Sequence, residues 1–429
     1  MPDSKKSLKL NEIAKKYADR INDEKLKTMF KQCFMSTYET TVKFDKSGSC
    51  FVITGDIPAM WLRDSSAQVN HYLMFAKESR QAYKLIDGLI RRQVNCIRID
   101  PYANAFNRRD NGKGQTKDKT DFKSPCVWER KYEIDSLCYP VRLIYRFWKE
   151  VGATTHFTVE LHEALQKIVD LWILEQNHKN SPYFFRRSFV RKSDTLSHRG
   201  RGAAVAYTGM TWSGFRPSDD SCEYGYLVPA NMFATVVLGY ISEIAKEIYA
   251  DEELSQKALK LKDEIQQGID TFAIVHRKGK RLYSYETDGY GNFNLMDDAN
   301  VPSLLSLPYL GYCCKDDELY SNTREFVLRS ENPDYFEGES AKGIGSPHTP
   351  KDHIWPIALC MQGLTSESKG EILDIIHTLR NTDAGTGFMH ESFHKDKPDK
   401  FTREWFSWAN TLFAELIIKY LDEFEGTVL

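Results

Sequence analysis

Carboxylates in this sequence keep unusual company. Asp64 stands in WLRDS (61–65) beside Trp61 and Arg63, and Glu133 and Asp135 stand in YEIDS (132–136). SDDSCEYGY (218–226) adds Asp219, Asp220 and Glu223, while MDDAN (296–300) adds Asp297, Asp298 and Asn300. HTPKDHIW (348–355) offers His348, Lys351, Asp352, His353 and Trp355, and GTGFMHESF (385–393) supplies Glu391. A neutral, hydroxyl-rich ligand suits such a set: ionised carboxylates accept hydrogen bonds from vicinal hydroxyls, and an indole or phenol face packs on the C–H side of a pyranose. Cleaving a glycosidic bond needs two carboxyl groups in different states. One is protonated and donates to the leaving oxygen; the other is ionised and attacks, or deprotonates water. A cleft with several acids can separate their pKa values by burial and like-charge repulsion. The same residues would equally serve a lyase or an inert glycan-binding protein. Taken singly, each carboxylate could simply cap its own helix, but capping accounts less well for the aromatic and basic neighbours at nearly every loop.

His390-Glu391-Ser392-Phe393-His394 also reads as H-E-x-x-H. In a zinc protease that pattern works because positions i and i+4 share one helical face, so both imidazoles reach one metal and the Glu acts as base. Here Gly385 and Gly387 lie just upstream and Pro398 closes the segment, so no long helix is expected, and no third ligand follows. No metal and no cofactor is therefore assigned. DGYGNFN and KGIGSP lack what a phosphate-cradling loop needs, and no G-x-S-x-G elbow occurs. The basic run FFRRSFVRKSDTLSHRGRG (184–202) reads as a solvated or site-lining loop rather than a nucleic-acid surface, since Lys+Arg 58 against Asp+Glu 60 leaves a net charge of -2.

The elements that must position these loops are mostly helical. LNEIAKKYADRINDEKLKTMFKQCFMSTYETTV (10–42), EALQKIVDLWILEQNH (163–178) and EELSQKALKLKDEIQQGIDTFA (252–273) carry apolar residues at three- and four-residue intervals, as one buried face requires. Strand signals are few: VKFDKSGSCFVITGD (42–56) predicts a hairpin, and RLYSYETDGYGNFNL (281–295) alternates around an Asp288-Gly289 turn. Six times a polar loop runs directly into an apolar helix, at 56–75, 131–147, 218–240, 297–312, 351–364 and 405–420. Those helices are apolar on nearly every face, with small residues such as Ser65, Ser136, Ala230 and Ala409 near their starts, so they should be buried all round. Six buried helices alternating with six amphipathic ones predict an all-α (α/α)6 barrel, or toroid, its polar loops gathered at one end and a few short hairpins among them.

With 429 residues, no low-complexity linker and no Gly/Ser break, the chain reads as one catalytic domain over 1–429. Its nine cysteines are odd in number and scattered without C-x-x-C, the amino-terminal segment has no apolar leader-like run, and no apolar run approaches the ~20 residues of a membrane span. A reduced, cytoplasmic compartment is the expectation, with no membrane and no nucleic-acid partner.

At DIPAMWLRDS, together with KYEIDSL, FRPSDD, LMDDANVPSLL, HIWP, GFMHESF and WFSWAN, the chain resembles glycoside hydrolase family 125, in blocks running in order from about Asp56 to Leu412. The resemblance implies an (α/α)6 barrel and an exo-acting α-mannosidase, preferring α-1,6 linkages in mannose-containing oligosaccharides, that inverts the anomeric centre without a metal. By likeness of motif, Asp220 is the general acid and Glu391 the general base, with Asp219 and Glu404 as their respective competitors. Inversion implies about 6.5–9.5 Å between the two carboxyl groups, and a raised pKa for Asp220. Loop position and chemistry add Arg63, Asp64, Glu133, Asp298, Asn300 and His353 as hydroxyl-binding residues, with Trp61 and Trp405 as walls. The rival readings are another glycosidase or a lyase on the same barrel, a zinc peptidase sensitive to chelator, and a glycan-binding protein that Asp220→Asn would leave intact. A lyase acting on uronates would need more cations than these loops carry.

Overall fold

The computed structural model describes residues 7–188, 190–424 and 429, and its chain is mainly helical. In order the helices are α1 (Leu10–Ala18), α2 (Glu24–Ser36), α3 (Leu62–Ala67), α4 (Asn70–Leu73), α5 (Arg80–Ile99), α6 (Asp135–Val151), α7 (Val159–Glu175), a single turn α8 (Ser197–Gly200), α9 (Val228–Tyr249), α10 (Glu252–Phe272), α11 (Leu307–Leu310), α12 (Glu318–Val327), α13 (Pro356–Leu364), α14 (Lys369–Asn381) and α15 (Ser407–Glu423).

Two kinds of helix alternate, and they start differently. The amphipathic helices α2, α5, α7, α10, α12 and α14 each begin at a side-chain cap: Asp23, Ser79, Thr158, Asp251, Asp317 and Ser368 accept from the backbone N–H three residues on. The helices that follow the polar loops, α3, α6, α9, α11, α13 and α15, have no such bond, and five of them start from Trp61, Ile134, Leu227, Trp355 or Phe406. An apolar residue at that position satisfies no backbone donor, so it is placed there by packing rather than by local preference. The consequence reaches the site: the loop carboxylates are not consumed as caps.

The uncapped helices form the interior. α3 packs on α6, α6 on α9, α9 on α11, and α13 on α15, which returns to α3 and α4. Capped helices back them, with α10 along α9, α14 along α13 and α2 along α15. α5 shows the outer pattern, burying Leu85, Ile86, Leu89, Ile90 and Ile97 on one stripe. At about 1.5–3 kcal/mol per buried aliphatic side chain, such stripes hold the layers together. α9 is long and apolar enough to cross a membrane by composition, yet most of it packs inside the protein, as a core helix should. A polar cluster ties four interior helices: Asn70 donates to Tyr309 and Glu415, while Arg142 and Arg146 donate to Asn70.

Three expectations need correction. The run 10–42 splits at 19–23, where Asp23 restarts the chain as α2, and ends in a π-helical turn at Thr37–Thr41. The junction at 297–312 yields only one helical turn, because Asp297 accepts from the backbone N–H groups of Leu304 and Leu305 and Ser303 and Ser306 bond reciprocally, holding the segment in turns. In 281–295 the alternation belongs to two hairpins. Lys280–Tyr283 pairs with Ile274–Arg277, and only Glu286–Thr287 pairs with Phe293–Asn294 around Gly289. The hairpin Val42–Phe44 with Cys50–Val52 forms as expected.

Candidate active site

Short antiparallel strands steer the loops into the interior helices. Met60–Trp61 pairs with Ala105–Phe106, which pairs with Val127–Glu129, and the chain passes from Trp61 straight into α3. Tyr226–Leu227 pairs with Glu286–Thr287 before α9, and His353–Ile354 with Ser392–His394 before α13. Ahead of α15 a bridge joins Gly55 to Phe406. There Gly55 has φ +142, and a Cβ would stand 2.5 Å from the Trp405 carbonyl oxygen, so the close approach requires glycine.

These loops line one pocket, open to solvent. Of the residues singled out from sequence, Trp61, Arg63, Asp64, Asn300 and Glu391 line it, joined by Asp219, His348, Trp355, Arg403 and Trp408. Arg63 is the electrostatic centre. Its Nη1 donates to Glu133 at 2.7 Å and Asp135 at 3.1 Å, Nε lies 3.3 Å from Asp64, and Nη2 lies 3.5 Å from Asp219. Four carboxyls thus share one guanidinium. Burial, with Asp219 and Asp135 adding to it, pushes Glu133 well above the usual carboxyl range despite Arg63, and Asp135 rises to about 6 by burial. Glu133 stands behind Arg63 and also accepts from Ser136. The buried Trp61 Nε1 has no hydrogen-bond partner in the protein, and the buried Asp64 Oδ2 accepts no hydrogen bond although Arg63 Nε lies 3.3 Å away. Asp298 also stands behind the lining, accepting from Asn300 and Ser346 and so fixing the Asn300 amide.

Asp219 and Asp220 differ sharply. Asp219 adopts the left-handed conformation at φ 66, and Arg216 N–H bonds the Asp220 carbonyl across this tight turn. Despite burial, bonding to Glu133 and the charges of Lys131, Arg63 and His348 hold Asp219 far below the carboxylate range. Asp220 is buried and is not among the lining residues; its Oδ1 lies 3.2 Å from Nδ1 of His348, which is. The expectation of a raised Asp220 pKa is overturned: burial raises it, but the hydrogen bond and charge of His348, with help from Ser193 and Lys131, lower it overall. His348 moves the opposite way, upward, since these anions outweigh its burial.

Glu391 accepts from Arg403 Nη1 at 3.3 Å, and Arg403 is anchored in turn on Asp56. Glu404 is exposed and absent from the lining. His353 and Trp405 also lie outside it: His353 faces His394 across the strand pair, and Trp405 is 36% exposed on the surface. The aromatic walls are instead Trp355, Phe406 and Trp408, with Trp61. Trp355 and Trp408 stood in the quoted junctions HIWP and WFSWAN; which ring of WFSW turns inward depends on where α15 begins. Arg403 carried no signal beyond its nearness to the junction.

The segment 390–394 is not helical: Ser392–His394 is a strand, entered through a bend at Glu391. His390 stacks on Phe401 with ring centroids 3.8 Å apart and bonds the Glu404 carbonyl, whereas His394 accepts from Asp396 N–H. The two imidazoles therefore lack the shared helical face on which i and i+4 ligands meet one metal, and each has its own partners. Among the described residues no cluster of three or more His, Cys, Asp or Glu side chains has metal-site geometry.

The profile of the metal-independent α-mannosidase family GH125 matches residues 23–418. The chain is 39% identical to the meiotically up-regulated gene 157 protein of Schizosaccharomyces pombe, across 94% of this chain and 84% of that one. It superposes with a TM-score of 0.94 on a metal-independent α-mannosidase of Streptococcus pneumoniae solved in a non-productive complex with α-1,6-mannobiose, at 50% identity over 96% of this chain and 97% of that one. A glycosidase variant, F290Y, matches at 12% identity and a TM-score of 0.51 over 99% of this chain and 100% of that one, a likeness of fold alone. The chain belongs to the GH125 family, the metal-independent α-mannosidases.

Proposed function

We propose that this α-mannosidase is exo-acting and inverting, and that it removes non-reducing terminal α-1,6-linked mannose from oligosaccharides, with Asp220 as general acid and Glu391 as general base. The observation that carries the reading is the convergence of two carboxyls from distant loops on one tryptophan-walled pocket. Glu391 lines it with a guanidinium partner, and Asp220 reaches it through an imidazole. Asp219 is held ionised by its cations, which suits a hydroxyl acceptor better than a proton donor. Exposure of Glu404 favours Glu391 as the base.

In this reading Arg403 orients Glu391, Glu391 takes a proton from a water, and that water attacks the anomeric carbon from the face opposite the leaving group. Asp220 gives a proton to the departing sugar oxygen as the C–O bond breaks. Asp64, Arg63 and Asn300 hold hydroxyls of the terminal mannose, while Glu133 and Asp298 fix Arg63 and Asn300. The α-1,6 preference is carried over from the ligand of the pneumococcal relative. The six interior helices are read as closing into an (α/α)6 ring. Nine free thiols favour a cytoplasmic site of action on short oligosaccharides.

A proton NMR time course with α-1,6-mannobiose in excess EDTA tests this. Early release of β-mannose is the expected result. Early α-mannose would overturn inversion and imply carboxyls about 5–5.5 Å apart, and cleavage only after a divalent metal is restored would overturn metal-independent chemistry.

A further inference from the structure

We propose that His348 is the positioning residue of the general acid, and that His348 and Asp220 work as one dyad sharing a single extra proton. This deepens the reading of Asp220 as acid and rests on it. The juxtaposition is specific: His348 lines the pocket, its Nδ1 faces Asp220 Oδ1 at 3.2 Å, and Asp220 is 3% exposed. The backbone that carries the imidazole is itself held in place. Its backbone N–H donates to Ser346 Oγ, Ser346 Oγ donates to Asp298, and its carbonyl accepts from Arg191.

Two proton placements satisfy this geometry with the same number of protons. In the first, His348 is an imidazolium protonated on both nitrogens and Asp220 is a carboxylate. In the second, His348 is neutral with its proton on Nδ1, and the extra proton sits on Asp220 Oδ2. The Nδ1–H to Oδ1 hydrogen bond is present in both; Nε2 points away from Asp220 across the ring, so in the change Nε2 gives its proton to water and Oδ2 takes one from water, with no net change in protons. The charged arrangement accords with the lowered Asp220 and the raised His348. A sugar filling the pocket removes water, and a drier site penalises separated charges more than a neutral acid beside a neutral imidazole. Binding therefore loads the proton onto Asp220. As the glycosidic C–O bond breaks, the Oδ2–H bond breaks and the O–H bond of the departing sugar forms, leaving a carboxylate beside a neutral imidazole; solvent restores the proton.

Titration then belongs to the pair rather than to either residue. The groups whose charges bear on it are Asp219 and Glu391, which favour the proton on His348, Lys131, which favours the Asp220 carboxylate, and the more remote Asp298 and Arg191. The alkaline limb of kcat/KM should follow loss of the dyad's one proton, at higher pH than a lone carboxyl would allow.

The test compares pH profiles of wild type, His348→Asn, His348→Phe and Asp220→Asn on α-1,6-mannobiose and on 2,4-dinitrophenyl α-mannoside, whose leaving group needs no protonation. His348→Asn keeps a donor for Oδ1 but cannot hold the extra proton. Its alkaline limb on mannobiose should move to lower pH by about one unit or more, and it should lose more on mannobiose than on the dinitrophenyl glycoside. His348→Phe should show the same shift, and a larger loss on mannobiose than on the activated substrate. An unmoved limb in both variants overturns the dyad. If Asp220→Asn loses both substrates equally, the assignment of Asp220 as acid fails instead, and the two failures are thereby told apart.

Discussion

Replacing Arg63 by Met removes the one cation that Asp64, Glu133, Asp135 and Asp219 share, while keeping an unbranched apolar stem of similar length. The Arg63 side chain is 4% exposed and the side chains of Glu133 and Asp135 are fully enclosed, so water replaces the guanidinium poorly. Breaking a buried pair by deleting one partner costs about 3–5 kcal/mol. The cost should also depend on pH, with a definite sign. Burial already raises Glu133 and Asp135, and a raised folded-state carboxyl contributes stability that is complete below its unfolded pKa and is lost as pH climbs through the folded value, about 6 for Asp135. Without Arg63 those folded values climb further, so the loss continues over a higher range, at about 1.4 kcal/mol for each added unit. Equilibrium urea unfolding of both proteins at about pH 5 and about pH 8 reads this directly. The gap between them should be several kcal/mol at the higher pH and clearly smaller at the lower. A gap that stays constant, or one below about 1 kcal/mol at the higher pH, would refute the shared-cation account.

Glu391→Gln should lower kcat on α-1,6-mannobiose by about 10²–10⁴ with KM nearly unchanged, since the amide keeps the Arg403 contact in shape but accepts no proton; steady-state kinetics decides, and a loss under tenfold would point to another base. Trp405→Ala should leave kcat/KM within about threefold because the ring lies outside the pocket lining; a larger fall would mean that the substrate extends over that surface. Asp317→Ala removes the cap of α12 and should cost about 1 kcal/mol in urea unfolding with kcat/KM unchanged, confirming that the backing helices are stabilised locally and apart from the site.

The helical layers were legible because their signal is local. Apolar residues at three- and four-residue spacing in α2, α7 and α10 mark backing helices wherever the chain later places them. The same locality explains the misreadings. Nothing near 297–306 announces that Asp297 will take two backbone donors seven and eight residues on and hold the chain in turns. The hairpin at 274–283 competes with a helix end at Phe272, and its pairing is decided by packing against α12.

For the site, residue chemistry and loop position were enough to mark Trp61, Arg63, Asp64, Asn300 and Glu391, all of which line one pocket. They were not enough to choose between Trp405 and Trp408 or between His353 and His348. Those pairs carry the same functional groups a few residues apart, and which member turns inward is set by where α15 begins and by the strand pairing of His353 with His394. The amino-acid sequence by itself determined which side chains were available and which helices would bury all their faces, because hydrophobic spacing and side-chain chemistry are properties of short segments. Only the tertiary structure decided that four carboxyls share Arg63, that Asp219 is held ionised while Asp220 meets an imidazole, and that H-E-x-x-H is a non-helical segment with its histidines turned to separate partners. Charge states depend on burial and on neighbours 70 or more residues away, and no local pattern encodes either.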